Sequence, residues 1–173
     1  MLPVKLVKLI ETHAESLTRE VVEDLVTNQH TPAFHSLVKS DLEPRIFKLY
    51  HNLGNWIADS NDNAICTEYE EWGRIRCHQG IPVSEIVYSL ILTKKHLRRY
   101  IRDHDYIGFT NDRKTSGELT TLELYGIQQL NYAVGDFFDQ ALYYLARGYE
   151  SQAKMERSHT EQSERYLTAH PHS

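Results

Sequence analysis

The sequence predicts an all-α fold: a helical bundle of five or six helices with a long C-terminal helix. Three observations lead there. Apolar residues recur at three- and four-residue spacing through most of the 173 residues. Glycine and proline are scarce, eight and five, too few for a loop-rich β-sandwich, a linker or a collagen-like chain. No segment keeps the alternation of a half-buried strand, and no repeat at a solenoid period is present.

The elements follow in order. From Pro3 to about Asn28 one helix is expected, with Leu6, Ile10, Leu17, Val21 and Leu25 on its buried stripe and Thr31-Pro32 as its stop. Ala33 to Val38 reads as one or two helical turns. Asp41 suits an N-cap with Pro44 in the first turn, opening a helix that carries Ile46, Leu49, Tyr50, Leu53, Trp56 and Ile57. The cluster Ser60–Asn63 is a turn, and Asp62–Gln79 the next helix, with Ile65, Tyr69, Trp72 and Arg76 on one stripe. Gly80 fits the position just past its end. Val83 to His104 forms a further helix through Ile86, Val87, Leu90, Leu97 and Ile101. The stretch Asp105–Gly117 is expected as a loop, with Ser116 or Gly117 capping a last helix from Glu118 to Tyr149, about 48 Å long. Residues 1–150 thus form one domain, and 151–173 a polar extension or linker with a frayed end.

Composition narrows the function. Twenty-four acidic residues against nineteen basic ones give a net charge of −5, which offers no electrostatic footing for nucleic acid. Apolar runs are too short to span a membrane. Lys5, Lys8 and Glu11 interrupt the N-terminal apolar stretch, so no signal-peptide core is read and a cytoplasmic location is expected. Cys66 and Cys77 would lie about 16 Å apart along one helix, too far to bridge.

Catalytic patterns are weak. Of the ten histidines, only His159 stands in a Glu-x-x-His pair, with Glu156, and a di-iron bundle needs two such pairs. His104-Asp105 lacks the further ligands of a metal-dependent phosphohydrolase, which ranks as a distant third reading. His30 and His35 do not share a helical face. Cys77 reads as a buried thiol and not as a nucleophile. No phosphate loop, Cys-x-x-Cys or nucleophile elbow is present. No catalytic residue, metal ligand or cofactor is expected. Arg76 and Lys94 stand out, because each falls on an apolar stripe. A basic group there must snorkel, pair with a carboxylate or face a pocket. Trp72, Arg76 and Lys94 are therefore the ligand-pocket or structural candidates.

The segment from Tyr69 to Ile101 carries a pattern: Gly73, Arg76, Gly80, Ile81, Pro82, Val83, Ile86 and Lys94. It resembles the N-terminal sensory domains of RsbR-type stressosome regulators, the RsbT co-antagonist N-terminal family. The likeness extends more loosely from about Ser16 to Tyr149, with Lys94 where the family pattern has Arg. It implies a globin-like helical fold, usually dimeric, without haem or enzymatic activity. Haem-bearing sensor globins place the proximal histidine at the position of Arg76. His78 lies two residues on, about 200° round the helix. Such chains continue into a phosphorylatable output domain, so this one is read as a stand-alone sensor or part of a longer regulator.

The expected function is that of a non-enzymatic signal-input or protein-interaction domain in bacterial stress signalling. Its partners would be a second copy, a signalling protein or fused output domain, and a small-molecule ligand. The alternative is a sensor globin holding haem or another tetrapyrrole through His78 or His96. A homodimer through the first and last helices is expected, because the last helix carries more aromatic rings than one stripe can bury. Phe138, Tyr143 and Tyr149 are the interface candidates.

Overall fold

The computed structural model describes residues 2–58, 62–110 and 121–169. Among them the chain is all-helical, with seven α-helices, one 3₁₀ turn and no strand. The long C-terminal helix is present. The helix count exceeds the expected five or six because both N-terminal helices are interrupted.

The first interruption separates α1 (Leu2–Thr12) from α2 (Ala14–Leu25) at His13. The backbone ladder crosses it, since the His13 N–H donates to Leu9 O at 3.0 Å and Leu17 donates to His13 O at 3.1 Å. Leu6, Ile10, Ala14, Leu17, Val21 and Leu25 remain buried on one stripe. The buried Thr31 hydroxyl donates to Leu25 O at 2.8 Å and closes α2, satisfying a carbonyl left free at a helix end. The segment after it forms a 3₁₀ turn, Pro32–Ser36, that seats Phe34 in the core.

Helix α3 (Lys39–His51) begins two residues before the expected cap. Val38 is the cap residue, Asp41 lies in the first turn and Pro44 is inside the helix, at its sixth residue, so the Ser40 carbonyl one turn back receives no N–H from that position. The second interruption, at Asn52, sets off α4 (Leu53–Ala58). The Gly54 N–H donates to Glu11 Oε1 at 2.9 Å, tying α4 to α1.

Helix α5 (Asp62–His78) starts as expected and stops one residue early. Gly80 adopts φ 72°. Its N–H donates to Cys77 O at 2.9 Å, and that of Ile81 to Arg76 O at 3.1 Å. This is the reciprocal closure that a left-handed glycine permits. Helix α6 (Val83–Thr110) runs six residues beyond His104, so the first half of the expected loop is helical, while the rest and the expected cap at Ser116 or Gly117 lie outside the described residues. Helix α7 (Thr121–Ala169) has 49 residues, about 74 Å. It passes straight through position 150, where a polar extension was expected to fray. Helix α6 lies between α5 and α7 in the chain order only, and α5 and α7 pack side by side in the same direction: Glu70 meets Arg147, and His78 meets Glu156. Among the described residues no helix is long and apolar enough to cross a membrane.

Candidate functional site

The site grows from the stripe of α5. Ile65, Tyr69, Trp72 and Arg76 are all buried. Behind them α5 and α7 touch backbone to backbone. A Cβ on Gly73 would sit 2.1 Å from Leu145 O, and one on Gly148 would sit 2.1 Å from Glu70 O. Both glycines are thus required by the close approach of the helices. The Arg147 guanidinium closes the rim of this seam on Glu70, and its Nη2 lies 3.1 Å from Cys66 Sγ.

Arg76 is 2% exposed. Its Nη1 donates to Gln79 Oε1 at 2.7 Å, and its guanidinium lies 5.7 Å from the centre of the Phe34 ring. Its Nε is buried with no acceptor. Burial pushes its pKa down to about 10; the charge of Arg45 adds to that effect and Asp41 opposes it. The side chain therefore carries its charge at neutral pH in a place that stabilises the charge poorly.

One turn before Arg76, Trp72 lines a small cavity between α3, α4 and α5. Its volume is about 10 Å³, and Arg45, Lys48, Trp56, Glu68 and Tyr69 share the lining. That is space for one water-sized occupant. Glu68 receives a hydrogen bond from Lys48 at 2.6 Å and pairs with Arg45 at 3.8 Å. Both indole N–H groups, Trp56 Nε1 and Trp72 Nε1, are buried without an acceptor. Tyr69 stacks between the two indoles and against Phe137. Burial raises the Tyr69 hydroxyl well above the ordinary tyrosine range, Glu68 adds to the rise, and Arg45 opposes it.

Lys94 does not line this cavity. It extends to the surface, donates to Asp139 Oδ1 at 3.2 Å and passes 6.0 Å from the Phe138 ring centre. This is snorkelling to an ion pair. The expectation that Phe138 lies outside the intramolecular face is corrected: it is 0% exposed. Helix α7 is covered by α5 on one side and α6 on another, which hides more than one stripe of side chains. Tyr149 is half-buried against the core, while Tyr143 is 60% exposed. Tyr125 and Tyr132 are exposed as well, and their offsets of seven and eleven residues bring all three tyrosines onto one face. Beside that helix an open groove of about 650 Å³, lined by Val4, Val7, Ile57 and Ala133 among others, runs between α1, α4 and α7.

Neither histidine of the tetrapyrrole alternative faces these cavities. His78 has a side chain 80% exposed, with Nδ1 donating to Glu156 Oε1 at 3.3 Å. His96 is buried, and both ring nitrogens are engaged: Nε2 donates to Asp24 Oδ2 at 2.9 Å, and Arg99 donates to Nδ1 at 2.6 Å. Glu156, of the one Glu-x-x-His pair, is the partner of His78. Among the described residues no group of three or more histidines, cysteines or acidic side chains is placed to hold a metal ion. The two thiols are shifted away from reactivity. Burial raises Cys77, with Glu156 adding to the rise, and burial raises Cys66, with Glu70 adding to it.

Arg45, Lys48, Trp56, Glu68 and Gly148 were not recognisable as site residues from the sequence. Their signal is spatial, apart from the three-residue spacing of Arg45 and Lys48 on α3. No protein family, curated protein or solved structure matches the chain.

Proposed function

We propose that the chain is a non-enzymatic signal-input or protein-interaction domain of a bacterial stress-signalling regulator, a non-haem, globin-like dimer working in the cytoplasm. The observation that carries this reading is the glycine seam. Next to an incompletely partnered, buried Arg76, α5 presses its backbone on α7, and α7 continues as one helix to Ala169. A change of packing around Trp72 and Arg76 moves α5. With no side chains between the two backbones to absorb the motion, α7 shifts or rotates with it. A ligand or partner that prefers one packing moves the population toward it.

Further support comes from residues already described. Both nitrogens of His96 are taken by protein partners, which favours the non-haem reading over the tetrapyrrole alternative. Raised thiol pKa values favour a non-enzymatic role. The exposed tyrosines of α7 and the apolar groove beside α1 suit a second copy meeting the first and last helices. In parallel, two such α7 helices would present their C-terminal halves together to an output domain or partner.

Light scattering at micromolar concentration tests the assembly. A dimer mass is expected, and a monomer mass in the double variant Tyr132→Glu, Tyr143→Glu with helicity unchanged. A clean monomer for the unmodified protein overturns the dimer. Spin labels at Ser158, one on each copy, test the transmission. A distance that is the same in every condition that alters the environment of Trp72 overturns it.

A further inference from the structure

Two buried indole donors on the lining of one cavity, Trp56 Nε1 and Trp72 Nε1, lack an acceptor, as does Arg76 Nε one turn beyond Trp72. All three belong to groups that can only donate. Native interiors rarely leave buried polar groups unpaired, and each exception calls for a missing partner. The missing partner must accept hydrogen bonds. The charges around it point the same way. Arg45 and Lys48 meet at a single carboxylate, Glu68. Arg76, one turn beyond Trp72, has no ion-pair partner among the described residues. Two cations and two unpaired N–H donors thus line a cavity that holds one bound carboxylate.

We propose that this cavity is a binding site for a small carboxylate anion, which takes Arg45 and Lys48 together with the indole N–H groups of Trp56 and Trp72, and that Glu68 holds the site closed until the anion displaces it. Carboxylate chemistry suits the donors. Two oxygens with several lone pairs can serve a guanidinium and two N–H groups at once, and a planar guanidinium favours such a partner. The size of the cavity selects a small molecule over an acidic peptide, because at rest it has room for about one water. Glu68 is an internal competitor. It is partly exposed and free to swing outward, and its departure releases Arg45 and Lys48 in one step. The proposal deepens the signal-input reading and rests on that reading for its physiological role. Binding itself is tested without reference to α7 or to the oligomeric state.

The protein's two tryptophans, Trp56 and Trp72, both line the cavity, so emission excited at the red edge, where tyrosine does not absorb, reports on this site. Emission is titrated with sodium acetate and sodium formate, and with sodium phosphate and sodium chloride at matched ionic strength. A saturable change with acetate or formate is expected, with a dissociation constant on the order of millimolar for so small a ligand. Glu68→Gln removes the competitor from a partly exposed position and is expected to tighten binding about tenfold. Arg45→Met is expected to abolish saturation, with circular dichroism showing helicity retained. Equal, non-saturating responses to every salt in both the unmodified protein and Glu68→Gln overturn the proposal and leave a water in the cavity. Saturation by phosphate or chloride alone overturns the carboxylate assignment. Saturable acetate binding with unchanged spin-label distances on α7 upholds the site and overturns the signal-input mechanism instead.

Discussion

The two sides of the bundle bury basic groups in opposite ways. Where α6 meets α2, His96 is enclosed but fully partnered: Asp24 and Arg99 take its two nitrogens, and Glu20 lies 3.8 Å from Nδ1. Where α5 meets α3 and α7, Arg76 is enclosed with one nitrogen and two neighbouring indoles unsatisfied. The helix contacts differ too. α5 and α7 touch through glycine backbone, whereas α3 and α6 are tied by side chains such as Tyr50, whose hydroxyl donates to Thr93 O at 2.9 Å. A satisfied buried network specifies the fold, and an unsatisfied one on a rigid seam is where stability has been given up. The α2–α6 side thus reads as scaffold and the α5–α7 side as the working half.

The sharpest way to break this comparison is at the seam. Gly148→Ala places a methyl group against the backbone of Glu70, which has no flexible end to move aside. A loss of about 3 kcal/mol is expected, at the upper end for overpacking, although alanine's helix preference works the other way by about 1 kcal/mol. Gly135, on the same helix, has open space at its Cβ position. Gly135→Ala is therefore expected to stabilise by up to about 1 kcal/mol. Chemical denaturation of the pair checks both, and equal effects would remove the seam as a special contact.

Next in size comes the scaffold side. His96→Ala opens a void and leaves Asp24 and Arg99 without their shared partner, at an expected loss of roughly 2 kcal/mol. Arg76→Met should act in the opposite sense, with a gain of about 1 kcal/mol, because an apolar chain of similar length replaces a poorly partnered buried charge. Denaturation midpoints of the two variants decide the matter. If Arg76→Met destabilises as much as His96→Ala, Arg76 is a scaffold residue and the contrast between the two sides fails.

How much of this was legible in the sequence depends on the range of the interaction. The C-terminal end of α5 and the start of α6 follow from Gly80 and Pro82, which act within a few residues. The break at His13 left no trace, since the apolar stripe from Leu6 to Leu25 continues across it in register. Phe138 was misplaced by a local argument. Adjacent aromatics diverge by about 100°, which exposes one of them on a helix packed on a single side, but α7 is packed on two. Arg76 and Trp72 were visible as oddities of a stripe. The cavity beside them was not, because Arg45, Lys48, Trp56 and Glu68 reach it from three helices. Gly135 and Gly148 are the same residue on the same helix, and only the neighbouring backbone distinguishes them.

The smallest expected effect tests the scaffold side by pH. Burial works to raise the pKa of Asp24, but hydrogen bonds from Asn28 and His96, with the charge of Arg99, outweigh it and hold the carboxyl below its ordinary value of 3.8. A carboxyl depressed in the folded state binds protons less readily there than in the unfolded chain. Its contribution to stability is therefore fully present above 3.8 and is lost as pH falls through the folded-state value. Partial exposure of Asp24 screens the interaction and keeps the effect small. His96→Ala removes one of the hydrogen bonds that hold the carboxyl down. Its folded and unfolded values then move together, and the acid limb contributed by Asp24 should flatten. Urea unfolding of both proteins between about pH 5 and pH 2 measures the two slopes. Parallel slopes would mean that Asp24 is indifferent to His96, and that the α2–α6 network is less tightly bound together than its geometry implies.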